Sequence, residues 1–304
     1  MPSNQTPLGA LPARFRRQRV LIVGCGDVGM RAANSLGATT RVMALTSSPE
    51  RMDALRSRGV TPLLGNLDKP RTLGRLAGLA QRLLYLAPPP TEGWQDPRVA
   101  ALLRCLRLRS GALTQLVYGS TSGVYGDCDG AWVSETRALN ASTPRARRRV
   151  NAEAQVRFFG RSTGVAVQIL RIPGIYAPDR EGGTPRERLL KGTPVLRAED
   201  DVFTNHIHAD DLARACVASL WKGRPQRVYN VNDDTQMKMG DYFDWAADHY
   251  QLPRPPRVPR DSAQRQLPVM LLSFMSESRR LVNTRMKQEL GLRLRYPTVM
   301  EGLR

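Results

Sequence analysis

Val20-Leu21-Ile22-Val23-Gly24-Cys25-Gly26-Asp27-Val28-Gly29 is a four-residue apolar run that enters a Gly-x-Gly-x-x-Gly loop, and a helical pattern, Val28 to Leu36, follows at once. A strand, a glycine loop and a helix in that order form a site for a nucleotide pyrophosphate. The first glycine allows the tight turn, the second lets the backbone come close to the phosphates, and the third lets helix pack on strand; the helix N-terminus then attracts the negative charge. Gly24, Gly26, Asp27, Val28 and Gly29 are therefore expected to bind the cofactor.

Outward from this loop, short apolar runs alternate with helix-length segments. Strands are predicted at Val20–Val23, Val42–Thr46, Val60–Leu64, Arg82–Ala87, Leu113–Tyr118, Val165–Arg171 and Arg227–Val231. Helices are predicted at Val28–Leu36, Pro49–Arg58, Pro97–Leu108 and Pro144–Arg161, three of them opened by a proline where a first turn tolerates it. The pattern is that of βαβ units, an α/β doubly wound parallel sheet of the Rossmann type. Residues 19–171 form the expected dinucleotide-binding domain, completed by about 205–232. Residues 172–204 and 233–304, where Gly, Pro and charge break the rhythm, form a smaller C-terminal substrate lobe. Residues 1–18 read as a flexible basic leader, with a transit peptide as the alternative.

The formal net charge is +19. Arginine is spread along the chain, which argues against a built nucleic-acid stripe. Cys25, Cys105, Cys128 and Cys216 show no CxxC pair, so neither a zinc site nor a disulfide framework is expected, and a reducing, cytoplasmic compartment is the simplest reading. No apolar run has the length of a membrane span.

The end of the second strand normally tells NAD from NADP, because an acid there binds the ribose 2′-hydroxyl. Here Thr46, Ser47 and Ser48 occupy those positions, and Arg51 follows. NADP is favoured, NAD is the alternative, and Arg51 as a merely solvated residue is the competing reading. The ends of the third and fourth strands add Asn66, Leu67, Ala87 and Pro88 to the expected cofactor contacts.

After the fifth strand comes Tyr118-Gly119-Ser120-Thr121-Ser122-Gly123-Val124-Tyr125-Gly126-Asp127, followed later by Arg171-Ile172-Pro173-Gly174-Ile175-Tyr176-Ala177-Pro178, Asn205-His206-Ile207-His208-Ala209-Asp210-Asp211-Leu212-Ala213, Tyr229-Asn230-Val231 and Tyr296-Pro297-Thr298. With the glycine loop, these segments resemble the extended short-chain dehydrogenase/reductase family, the NAD-dependent epimerases and dehydratases, over about residues 19 to 304. The resemblance implies that Thr121 orients a substrate oxygen, with Ser120 and Ser122 as neighbours and substitutes; a local turn-capping role is the alternative. It also implies substrate contacts from Ser122, Pro173, Tyr176 and His206, and a homodimer paired through Pro97–Leu108 and Pro144–Arg161.

The family's proton-transfer pair, Tyr-x-x-x-Lys, maps onto Arg145 and Arg149, between Pro144 and Glu153. Spacing of four keeps both on one helix face. An arginine can hydrogen-bond ribose hydroxyls, but it does not exchange a proton near neutral pH. Catalysis would need another donor among Tyr125, Asp127, Tyr176 and His206, with Tyr125 the first to test and a structural role for it equally open. For Arg145, Arg147, Arg148 and Arg149, a solvated basic face stands beside a grip on an anionic substrate. His206, His208 and Asp210 are not read as a metal site, and Asp210-Asp211 are read as the cap of the next helix. Two functions follow: an NAD(P)-dependent oxidoreductase, epimerase or dehydratase acting on a small-molecule substrate, anionic or nucleotide-sugar-like, or a non-catalytic NADP-binding sensor.

Overall fold

A computed structural model describes residues 17–304 apart from 38–39, 109–111, 269–270 and 273–274, and leaves the Gln266 side chain undescribed. Most of the expected leader lies outside these residues. Seven parallel strands make the central sheet: β1 (Gln18–Val23), β2 (Thr40–Thr46), β3 (Thr61–Leu64), β4 (Arg82–Tyr85), β5 (Gln115–Thr121), β6 (Ala166–Ile172) and β7 (Arg227–Asn230). Their order is β7-β6-β5-β4-β1-β2-β3, a doubly wound sheet. All seven overlap the strands expected from sequence. The order reverses between β1 and β4, which opens a crevice at the carboxyl ends of the strands where this class of sheet takes ligands.

Alternation along each strand fills both faces. Val20 and Ile22 of β1, with Leu84 and Val117, enter one core with helices α1 (Asp27–Ser35) and α4 (Ala209–Lys222). Leu21 and Val23, with Leu83, Tyr85, Leu116 and Tyr118, enter the other with α2 (Pro97–Arg107) and α3 (Pro144–Thr163). A sheet buried on both sides needs continuous apolar runs, and that is why these strands were legible as such. The ends of α3 follow local chemistry: Thr143 accepts the Ala146 N–H at 3.2 Å, Pro144 occupies the first turn, and Gly164 closes the helix in the left-handed region.

A third core lies off the sheet, built from Tyr176, Val195, Val202, Tyr242, Phe243, Val299 and their neighbours. It gathers residues from 176–202 with residues from 239 onward, the segments where the strand–helix rhythm fails. Among the described residues no helix is long and apolar enough to cross a membrane, and all four cysteines are free and buried.

Candidate active site

The three glycines of the loop differ in what surrounds them. At Gly24, φ is +91° and an added Cβ would overlap the Ala87 nitrogen and lie 2.6 Å from the Leu86 carbonyl carbon. At Gly29 it would meet the Gly24 carbonyl oxygen at 2.9 Å. At Gly26 it would meet nothing within 4 Å. Gly26 is exposed at the N-cap of α1, and no side chain caps that helix. Free first-turn N–H groups beside open space are what a pyrophosphate requires, so the chain's own residues fit a dinucleotide.

Val28 and Gly29 are buried in the first turns of α1, with Val28 in the sheet core. Asp27 is occupied by two guanidiniums, Arg31 at 3.0 Å and Arg180 at 2.5 Å. Arg31 also reaches Asp179 at 2.8 Å and Asp210 at 2.6 Å, which ties α1 to the start of α4 and to the segment after Pro178. Leu86 and Ala87 both donate to the Val23 carbonyl, at 2.7 and 3.1 Å, so Ala87 borders the glycine loop; Pro88 follows it, exposed. Thr46 is buried with its hydroxyl turned to Ser48, whereas Ser47 is exposed. Arg51 is exposed, and its Nη2 donates to the Cys25 carbonyl at 2.8 Å, which places the guanidinium beside the loop. Ser47 and Asn66 line an open cleft of about 480 Å³ that Leu67 adjoins in sequence.

Thr121, at the end of β5, accepts the Gly123 N–H at 3.3 Å; its hydroxyl thus performs the local capping role at the same place where a substrate oxygen would be met. Ser122 is buried and Pro173 half-buried just past β6.

The arginines of α3 separate into distinct roles, and the picture of a uniformly solvated face is corrected. Arg149 is buried and its Nη1 donates to the Gly119 carbonyl at 2.9 Å and the Tyr118 hydroxyl at 3.0 Å, with the Ala87 carbonyl at 3.4 Å. It binds the ends of β4 and β5 together. Arg148, also buried, donates to the Gly93 carbonyl at 2.6 Å, and Arg147 lies over the Trp94 ring at 4.8 Å, so both hold the loop that follows β4. Arg145 is exposed and has no hydrogen bond or ion pair among the described residues. Its charged form is disfavoured by desolvation first and then by Arg149 and Arg148. It sits one turn before Arg149 on the same helix face.

Tyr125, expected as a proton donor, is corrected to a structural residue. It is 1% exposed, its hydroxyl donates to Asn230 Oδ1 at 2.7 Å and accepts from Arg171 Nη1 at 2.9 Å. Burial pushes its ionisation up, against Arg171. Arg171 in turn forms a buried bidentate pair with Glu153, at 3.1 and 2.8 Å, and Ser120 donates to the same carboxylate at 2.6 Å. Glu135 accepts the Asn230 N–H at 3.1 Å. Sequence reasoning missed this network as a unit: Ser120, Tyr125, Arg171 and Asn230 were quoted in separate motifs and Glu153 only as a boundary, and nothing local joins them.

Tyr176 and His206 are likewise corrected from substrate contacts to packing. The Tyr176 hydroxyl donates to the Thr298 carbonyl at 3.1 Å, and burial raises its ionisation further. His206 is buried with its ring 4.6 Å from Tyr242, and burial brings it down to about 4, so the imidazole is neutral. Asp127 accepts the Ser278 N–H at 2.7 Å. The cap of α4 is His208, whose Nδ1 accepts the Asp210 N–H at 3.2 Å, while Asp211 is fully buried and accepts the N–H groups of Arg295 and Tyr296. This corrects the reading of Asp210-Asp211 as the cap. Among the described residues no cluster of three or more His, Cys, Asp or Glu is placed to hold a metal ion.

The doubly wound sheet and the open glycine loop have the form of a Rossmann dinucleotide-binding fold. The family profile of the NAD dependent epimerase/dehydratase family matches residues 98–232, and a TrkA-N domain profile matches residues 20–81. A structure of a functionally unknown conserved protein from Silicibacter pomeroyi is 34% identical with a TM-score of 0.77, covering 94% of this chain and 96% of that one. UDP-glucose 4-epimerase from Thermotoga maritima superposes with a TM-score of 0.75 at 18% identity, covering 94% and 96% of the two chains. The trifunctional UDP-glucose 4,6-dehydratase/epimerase/reductase of Arabidopsis thaliana is 26% identical over 140 residues, 43% of this chain but only 21% of that protein. The chain thus spans a small part of that relative. This chain's residues 98–232 carry the domain of the NAD dependent epimerase/dehydratase family.

Proposed function

We propose that this protein binds NADP in preference to NAD and acts as an oxidoreductase, epimerase or dehydratase on a small anionic substrate, which Arg145 holds. The observation that carries the substrate class is the exposed guanidinium of Arg145, without a hydrogen bond or ion pair among the described residues, at the position onto which the resemblance maps the tyrosine, with cations rather than acids as the neighbours that act on it. A planar guanidinium in that state is suited to bidentate recognition of a carboxylate or phosphate. A bound nicotinamide would supply the hydride chemistry. The protein's own part is to cradle the phosphates at Gly26 and to keep the ends of β4 and β5 in register through Arg149.

The second reading is a non-catalytic dinucleotide-binding protein. It is favoured by the state of the titratable groups: Tyr125 and Tyr176 are tied by hydrogen bonds and His206 is buried and neutral, so none is presented as a proton donor. Isothermal titration with NADP, NADPH, NAD and NADH, on the wild type and on Gly26→Glu, tests the shared core of both readings. Binding that the variant loses upholds the pocket; no binding by the wild type refutes it. Turnover of bound cofactor in the presence of small carboxylates or phosphates, lost in Arg145→Ala, then separates the enzyme from the non-catalytic protein.

A further inference from the structure

A polar pocket of about 130 Å³ lies where residues 233–236, just past β7, meet residues 280–284. β7 is the outermost strand of the sheet, and three strands separate it from β1 and the glycine loop. At the usual strand spacing that puts β7 roughly 19 Å from β1. The pocket is also turned away from the interior of the lobe. Phe203 and Asn205 meet residues 279–281 on the pocket side, whereas the neighbouring His206 packs on Tyr242 in the third core.

Arg280 is the most firmly built side chain of this pocket. Its backbone N–H donates to the Ala131 carbonyl at 3.0 Å, and the two-residue strands Trp132–Val133 and Arg280–Leu281 pair in parallel. Asn205 fixes the backbone on either side, accepting the Leu281 N–H and donating to the Arg279 carbonyl, both at 2.9 Å. The guanidinium lies 4.8 Å from the ring centroids of both Trp132 and Phe203, and its Nε donates to the Gly130 carbonyl at 2.7 Å. Its two Nη nitrogens have no hydrogen bond or ion pair among the described residues. A planar fork of donors held by one carbonyl and two rings has little rotamer freedom left to lose, and that state suits bidentate recognition of an oxyanion.

Two carboxylates also line the pocket, and neither is a partner of Arg280. Asp234 is engaged by Lys287, at 2.6 and 2.8 Å, and by Asn283 at 2.8 Å. Asp233 is 1% exposed; one oxygen accepts the Thr235 N–H at 3.0 Å and the other is closed off from the surface. Burial raises this acid to about 8, so its neutral form prevails at pH 7. With Lys287 and Asp234 offsetting each other, the charge left over in the pocket is that of Arg280. Gln236 and Thr284, both exposed, add an amide and a hydroxyl to the lining.

We infer that this pocket binds the carboxylate or phosphate group of a small molecule, with the Arg280 fork as its anchor. The site shares no residue with the glycine loop, with Thr121 or with Arg145, so it stands whether or not the function proposed above holds. Gly130 and Trp132, which hold the guanidinium, belong to the segment that continues from the turn at Thr121–Tyr125, so an occupant would act on that segment from outside the dinucleotide crevice.

The test is isothermal titration of inorganic phosphate and of acetate, at pH 7 and constant ionic strength, with thermal unfolding to confirm that each protein is folded. The proteins are the wild type, Gly26→Glu/Arg145→Ala, which lacks the two other expected anion contacts, and that double variant carrying Arg280→Met or Arg280→Lys in addition. Methionine keeps an apolar stem beside the rings, and lysine keeps the charge without the fork. The expected result is saturable binding of at least one of the two anions by the double variant, weakened about tenfold or more by Arg280→Met and not restored by Arg280→Lys. The anion bound more tightly identifies the group recognised, phosphate or carboxylate. Binding by the wild type alone would assign the anion to Gly26 or Arg145 and overturn the inference. So would the absence of saturable binding in every protein, or equal affinity with and without Arg280→Met. An Arg280→Lys protein that binds as tightly as its parent overturns the fork as the anchor and leaves a bare surface cation.

Discussion

Replacing each glycine of the loop by alanine should produce three different outcomes, because the three positions are glycine for different physical reasons. At Gly24 the backbone lies at φ +91°, which costs an L-residue about 1–3 kcal/mol, and the new methyl overlaps the Ala87 backbone in addition. Backbone on both sides cannot yield cheaply, so Gly24→Ala should lose more than about 3 kcal/mol of stability. At Gly29 only the helix–loop contact to the Gly24 carbonyl, at 2.9 Å, is compressed, and about 1–2 kcal/mol is expected. At Gly26 the φ of −79° suits any residue and the methyl enters open space, so stability should stay within about 1 kcal/mol. The same methyl occupies the approach of the pyrophosphate and keeps it from one or two charge-assisted bonds to the helix N-terminus, worth about 1.5–3 kcal/mol each, so dinucleotide affinity should fall at least about tenfold. Urea unfolding reads the first quantity and isothermal titration the second. A Gly26→Ala protein that is destabilised like Gly24→Ala, or that binds dinucleotide as tightly as the wild type, would refute this account of the loop.

Three further outcomes are expected. Arg171→Met should destabilise by about 3–5 kcal/mol in urea, because it leaves the Glu153 carboxylate buried without its partner; Arg171→Met/Glu153→Leu should recover part of that loss, and no recovery would count against a simple ion-pair role. Tyr125→Phe should cost about 1–2 kcal/mol from the hydrogen bonds to Asn230 and Arg171, while leaving the pH dependence of any turnover unchanged; a shifted profile would restore Tyr125 as a proton donor. Burial raises Asp233 from 3.8 to about 8, so the folded state holds a proton that the unfolded state releases, and stability should fall as pH rises toward 8. His206, lowered from 6.5 to about 4, acts in the other direction: the unfolded state takes up a proton that the folded state does not, and stability falls as pH drops from 6.5 toward 4. His208 is depressed by burial too, so only above the histidine range, from about pH 7.5 to 8, does the slope in melting temperature report Asp233; Asp233→Asn should flatten it there, and an unchanged slope would assign it to other groups.

The fold and its cofactor loop were legible in the sequence because their determinants are local. A strand buried on both faces is written as an apolar run, as in Val20–Val23, and a helix start as Thr143-Pro144. The glycine loop occupies six consecutive positions, and its context of strand and helix is contiguous too. The roles of the α3 arginines were of another kind. Arg145 and Arg149 share a residue type, a helix and a face, yet one is exposed and unpaired while the other is buried against the carbonyls of Gly119 and Ala87. Tyr125 and His206 looked like reactive groups until their partners, Asn230 and Arg171 for one and Tyr242 for the other, arrived from distant parts of the chain. Sequence alone thus determined the doubly wound sheet and the dinucleotide loop, since periodicity and turn chemistry act between neighbours. Only the tertiary structure decided which charged and titratable side chains are free to meet a ligand, because burial and hydrogen-bond partners are set by residues 30 to 122 positions away.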